Sequence, residues 1–206
     1  VAKGQCSSDA LDARFSITAP LWCTLQGGLN VRRKRLGKPV VLITGSSSGV
    51  GLELLRFLRE RPYRIVATAR PSSCERFANL GIHPSDSLSI KALDVADLDS
   101  HEAVIKSVLS EWGQIDVLVN NAGISRPELT LEMSEENWDL HMDVNCKSVF
   151  LCSQAAARQM KTHGGGVIVN IGSILGRNAF PATLGYCTSK AAVDHMTRVM
   201  AIEWAR

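Results

Sequence analysis

None of the six cysteines (Cys6, Cys23, Cys74, Cys146, Cys152, Cys187) forms a Cys-x-x-Cys pair, and the five histidines are scattered rather than set at ligand spacing. Reduced thiols in a cytoplasmic protein without a structural metal are therefore expected. Long apolar runs are lacking too. The most apolar N-terminal stretch, Ile17 to Leu29, is too short to span a bilayer, and its basic cluster follows it instead of preceding it as in a secretory signal. Neither export nor a membrane anchor is expected. Charge of one sign is scarce: the net charge is +3, part of it from Arg32-Arg33-Lys34-Arg35, which reads as a solvated tail rather than a nucleic-acid contact. No internal repeat at solenoid spacing is present.

The chain does contain a sufficient core. Its 206 residues are 45% hydrophobic, enough for one substantial domain. Residues 1–37 show no sustained periodicity and read as an extension. From Lys38 onward, over residues 38–206, short apolar runs alternate with helical spacing. Val40 to Thr44, Arg64 to Thr68, Leu88 to Leu93, Ile115 to Val119 and Gly166 to Ile171 read as buried strands. Gly51 to Arg61, Asp97 to Trp112, Ser134 to Thr162 and Leu184 to Arg206 read as helices, with Asp97 and Ser134 as N-caps and Glu135 and Glu136 in the first turn after Ser134. Such alternation requires right-handed crossovers, so the expected fold is α/β: a Rossmann-type, doubly wound parallel sheet in three α/β/α layers.

The first strand runs into Thr44-Gly45-Ser46-Ser47-Ser48-Gly49-Val50-Gly51 and then into a helix. Glycines let the backbone turn sharply beside a pyrophosphate, and the helix start offers N–H groups and a positive dipole end to the anion. Gly45, Ser47, Ser48, Gly49, Val50 and Gly51 are therefore candidate cofactor contacts. At the end of the second strand, Ala69 stands where an NAD-binding chain carries an acid, 18 residues after Gly51, and Arg70 follows. An arginine there suits the 2′-phosphate, so NADP(H) is favoured over NAD(H). Asp94 suits either a hydrogen bond to adenine or the capping of the next turn. Asn120-Asn121-Ala122-Gly123 ends the fourth strand at the same sheet edge.

Tyr186 and Lys190 are four residues apart, so on a helix they share a face. A free phenol, with a pKa near ~10, is a poor base at neutral pH, and a neighbouring ammonium favours the phenolate. The pair can then give a proton to a carbonyl or take one from an alcohol. Ser173 follows the fifth strand, 13 residues before Tyr186, where its hydroxyl can hold the reacting oxygen; as a lone serine it reads rather as a turn residue. Asn145 is unfavourable inside a helix and by itself reads as solvated. Leu175, Gly176, Phe180 and Leu184 lie between Ser173 and Tyr186 and read equally as a partly apolar pocket or as packing positions.

Taken together, TGxxxGxG at Thr44 to Gly51, NNAG at Asn120 to Gly123, Ser173, and YxxxK at Tyr186 to Lys190 are similar in order and spacing to the short-chain dehydrogenase/reductase family over residues 38–206. The resemblance implies hydride exchange between a nicotinamide cofactor and a small alcohol or carbonyl substrate. Tyr186 is then the acid/base, Lys190 both a perturber of the phenol and a ribose ligand, Ser173 a substrate orienter, and Asn145 part of a proton relay through water. It also implies cofactor contacts at Asp94, Val95, Asn121, Ala122 and Gly123. A homodimer or homotetramer through the Ser134–Thr162 and Leu184–Arg206 helices is expected of the family. Its domain continues into a sixth and a seventh strand, a Pro-Gly loop and a substrate lid, so the resemblance makes this chain a C-terminally shortened version. A non-catalytic dinucleotide-binding module is the second reading.

Overall fold

The structure, a computed structural model, describes residues 37–97 and 100–205. The extension expected over residues 1–37 lies, apart from Gly37, outside the described residues. Five strands form one sheet: β1 Val40–Ile43, β2 Arg64–Ala69, β3 Leu88–Ala92, β4 Val117–Asn120 and β5 Val167–Asn170. All pair in parallel, in the order β3-β2-β1-β4-β5. Between them run the helices α1 Gly49–Arg59, α2 Glu75–Asn79, α3 Ser100–Trp112, α4 Glu135–Met142 and α5 Ser148–Thr162, and α6 Leu184–Trp204 follows β5. This is the doubly wound parallel sheet that the alternation of strands and helices predicts.

Successive residues of a strand face opposite sides of a sheet, and each side here has its own helical layer. Val40 and Leu42 pack with Val104, Ile105 and Val108 of α3 and with Cys152, Ala156 and Met160 of α5. Val41 and Ile43 pack with Leu52 and Leu55 of α1 and Phe77 of α2. A strand covered on both faces must be apolar throughout, and all four residues of β1 are 3% exposed or less. The edge strand β5 differs. Ile168 faces the α5 layer, whereas Val167 and Val169 on the opposite face are 53% and 41% exposed.

Two boundaries depart from the periodicity. The single helix expected over Ser134 to Thr162 is two helices separated by a π-helical turn, Asp143–Lys147, in which the Ser148 N–H donates to the carbonyl five residues back, on Asp143. Such a turn admits one extra residue without ending the helix and swings side chains off the helical face. Helix α3 is described from Ser100 onward, and the two residues between it and the expected N-cap Asp97, 98–99, lie outside the described residues. A 3₁₀ turn, Pro71–Ser73, and the short α2 fill what sequence periodicity left as a connection. Five residues are too few to show a helical period, yet Phe77 within α2 is a fully buried anchor at 1% exposure. Ser134 does cap α4: its hydroxyl accepts the Asn137 N–H at 3.2 Å.

Candidate active site

The strand order reverses between β1 and β4, and at such a point the two following loops diverge and open a crevice at the C-terminal sheet edge. The β1–α1 turn forms one wall. Gly45 has φ +64°, and a Cβ there would stand 2.8 Å from Ala122 Cα; one on Gly51 would stand 2.4 Å from Asn121 Nδ2 and 2.5 Å from the Gly45 carbonyl oxygen. Only glycine permits this closeness. The Asn120 to Gly123 segment is fastened over the turn: Thr44 Oγ1 accepts the Asn121 and Ala122 N–H groups, both at 3.0 Å, and Asn121 Nδ2 donates to the carbonyls of Thr44 at 3.0 Å and Gly45 at 2.8 Å.

The start of α1 is left open to an anion. Ser48 sits at the N-cap in extended conformation but makes no side-chain cap, and the first turn carries no acidic residue. Gly49 has φ +56° with nothing within 4 Å of where a Cβ would be, and Val50 is 68% exposed. Uncapped N–H groups at the positive end of a helix, with open space above a glycine, fit a pyrophosphate. Ser47 is turned inward and buried. Arg70 is exposed at the end of β2, and its carbonyl accepts the Ser73 N–H at 2.8 Å. Asp94 caps the next turn, its Oδ1 accepting the Ala96 N–H at 3.1 Å. Val95 packs its side chain into the core at 6% exposure, so only its backbone remains to meet a ligand.

Across the crevice, Lys190 of α6 is 5% exposed and points back to the sheet, its Nζ donating to the Ile171 carbonyl at 2.8 Å and lying 5.9 Å from the Tyr186 ring centroid. Burial lowers the pKa of this ammonium from its ordinary value. The segment bearing Ser173 is drawn onto the same helix. Ser173 caps the 3₁₀ turn Ile174–Gly176 by accepting the Leu175 N–H at 3.1 Å, and a Cβ on Gly176 would stand 3.0 Å from the Lys190 backbone carbon. Gly123 closes the circle, with Asn145 Oδ1 3.2 Å and Lys190 Nζ 3.7 Å from its Cβ position. Phe180 and Leu184 are 66% and 37% exposed, whereas Gly176 serves packing on α6.

Asn145 is not solvated: it is fully buried, and its amide is used at both ends. Oδ1 accepts the Ile124 N–H at 2.8 Å, and Nδ2 donates to the Ile124 carbonyl at 3.0 Å and to Ser189 Oγ at 3.1 Å. The π-helical turn is what brings this side chain to the loop after β4. Ser189, which sequence reasoning passed over, donates in turn to the Tyr186 carbonyl at 2.8 Å. His141 was passed over as well; it is 1% exposed beneath Gly185. A histidine or serine inside a helix carries no positional signal in sequence, since both are compatible with an exposed face.

The profile of the family described as short chain dehydrogenase matches residues 39–206. The 2-dehydro-3-deoxy-D-gluconate 5-dehydrogenase of Dickeya dadantii is 40% identical over 168 residues, which cover 81% of this chain and 66% of that protein. The 3-oxoacyl-(acyl-carrier-protein) reductase FabG of Staphylococcus aureus is 38% identical over 170 residues, covering 80% of this chain and 68% of that one. Among solved structures, a gluconate 5-dehydrogenase from Burkholderia cenocepacia in complex with NADP and tartrate superposes with a TM-score of 0.73 at 36% identity, covering 84% of this chain and 68% of that chain. This chain thus spans about two thirds of the length of the relatives it matches.

Proposed function

The chain belongs to the short-chain dehydrogenase family, and from that premise we propose that it serves an NADP(H)-preferring oxidoreductase acting on a small alcohol or carbonyl compound. The nicotinamide, when bound, supplies or takes the hydride. The chain's own residues handle the proton and the geometry. In the reducing direction the Tyr186 hydroxyl gives its proton to the carbonyl oxygen as negative charge builds there, and in the oxidising direction the phenolate takes it back. Lys190, held by Ile171, sets its ammonium beside the Tyr186 ring, where it would also meet the cofactor ribose. Ser173 donates to the same oxygen and so fixes which face the carbonyl presents. Asn145, whose amide is committed to Ile124 and Ser189, braces the loop and the helix and keeps its proposed part in a proton relay through water.

The observation that carries this reading is the buried Lys190 ammonium, placed beside Tyr186 and Gly123 at the sheet edge opposite the open start of α1. A buried cation that serves only the fold is uncommon, because its desolvation is costly. The NADP preference draws on the exposed Arg70 at the end of β2 and on the NADP held by the Burkholderia relative. Exposed apolar residues on α5 and α6 (Phe150, Val199, Ile202, Trp204) support a two-fold pairing of copies through these helices. No helix among the described residues is long and apolar enough to cross a membrane. The cytoplasmic location we propose rests on the cysteine pattern.

Equilibrium binding of NADPH and NADH to the chain tests the cofactor reading. NADPH should bind tighter, and Arg70→Ala should weaken NADPH by about tenfold or more while sparing NADH, the loss expected for one charge-assisted contact. Equal affinities, unchanged by the substitution, would remove the preference. Turnover is checked with 5-keto-D-gluconate and ethyl acetoacetate as probes, with Tyr186→Phe as the control that must abolish it.

A further inference from the structure

Helix α4 buries a single side chain, and it is polar: His141. An imidazole out of water is tolerated only if both nitrogens find partners. Nδ1 lies 2.7 Å from the Asn137 carbonyl oxygen, which can only accept, so Nδ1 carries the hydrogen. Nε2 lies 3.1 Å from the Arg126 backbone nitrogen, whose N–H can only donate, so Nε2 presents a lone pair. Two backbone groups from different elements thus select one neutral tautomer and lock the ring's plane.

The locked ring is also a floor. A Cβ on Gly185 would stand 3.0 Å from both Cγ and Nδ1 of His141, so the first turn of α6 rests on the imidazole with no room for a methyl group. The next residue is Tyr186. The loop that His141 holds by Arg126 is the one Asn145 holds by Ile124, and it reaches the α6 entry again through the Glu128 N–H, which donates to the Ala182 carbonyl at 2.8 Å. Ala182 keeps φ +61°, a left-handed conformation that a non-glycine residue adopts only when its surroundings impose it. The ring therefore stands between this loop and the start of the helix that carries the phenol, alongside the Asn145 and Glu128 contacts.

We propose that His141 is a positioning residue for Tyr186: its neutral Nδ1–H imidazole, wedged between the Arg126 N–H and Gly185, fixes the phenol's place relative to the loop after β4. This rests on the proposed role of Tyr186 and goes beyond it. The test compares three variants of the chain. His141→Gln keeps an acceptor toward Arg126, His141→Asn keeps only the donor toward Asn137, and His141→Leu keeps neither but preserves bulk.

The first readout needs no substrate. The chain has two tyrosines, so peptide-mapped acetylation by N-acetylimidazole reports Tyr186 with Tyr63 as internal reference. The Asn and Leu variants should change the Tyr186:Tyr63 rate ratio several-fold, and Gln should restore it. With the probe ketones, kcat should fall on the order of tenfold to a hundredfold in Asn and Leu, the scale of a small misplacement of a reacting group, while KM and NADPH affinity hold. A rate ratio unchanged in the Leu variant, or Gln failing in step with Leu, would reduce His141 to packing and overturn the proposal. Should the variants not fold, a wild-type ¹⁵N spectrum still decides: the Nδ1–H tautomer supports the assignment, and Nε2–H refutes it. If the wild type shows no turnover while the rate ratio behaves as expected, the proton role of Tyr186 falls and the positioning role stands.

Discussion

At the scale of single residues, the site is organised by side chains whose polar atoms are committed to backbone groups of other elements. Asn145 ties the π-helical turn to the loop after β4, Lys190 ties α6 to the residue after β5, and Thr44 ties the β1–α1 turn to the segment after β4. Lys190 gives this a pH signature. Burial disfavours its ammonium, so its pKa is lower in the folded chain than in the unfolded one. Between those two values the unfolded chain binds more protons, and stability therefore rises with pH. The contribution is complete above the unfolded value and is lost as pH falls through the folded one. Thermal unfolding of the wild type and of Lys190→Met, compared from neutral pH toward the ordinary lysine range, should show the difference moving in favour of the wild type as pH increases. A flat difference would mean that the ammonium suffers no net burial penalty.

At the scale of elements, close approach of backbones decides what α1 can do. Its first turn lies against Asn121 and Gly45 because Gly51 has no side chain. Gly51→Ala must push the helix away from the Asn120 to Gly123 segment. Overpacking of this kind costs about 1–3 kcal/mol, and the shifted helix start should also lose NADPH affinity. Gly113 is the informative comparison: it terminates α3 at φ +75° in open space, so Gly113→Ala should cost roughly 1 kcal/mol through the left-handed backbone alone. Its NADPH affinity should not change. Denaturant titration and cofactor binding on both variants separate the two effects. The π-helical turn belongs to this scale too, since a regular helix over residues 135–162 would not direct Asn145 sideways to Ile124.

At the scale of the whole described molecule, the sheet is well covered on β1 and β2 and bare on one face of β5. Val167 and Val169 face solvent on a strand that pairs with β4 alone among the described strands. An exposed apolar edge of this kind is a template for unwanted strand pairing. The chain should therefore self-associate as its concentration rises, and Val167→Lys with Val169→Lys should suppress this, as read by sedimentation velocity. Concentration-independent behaviour of the wild type would contradict the expectation.

Local chemistry alone determined much of this protein. Parallel strands buried on both faces need continuous apolar runs, so β1, β2 and β4 are legible as such, and the helices between the strands follow from their period. The glycine-rich turn, Ser173, Tyr186 and Lys190 stood out because each is tied to the end of a strand or the start of a helix, and the fold brings those ends to one edge. What only tertiary structure decided is the set of partners. Nothing near Asn145 in the chain announces Ile124 or Ser189, and nothing near His141 announces Arg126 or Gly185, because hydrogen bonds between distant segments leave no periodic trace. Burial decided the rest: a lysine and a histidine that sequence permits on any surface were placed out of water by the packing of α6 on the loop after β4, and their orientation follows from the partners they meet there.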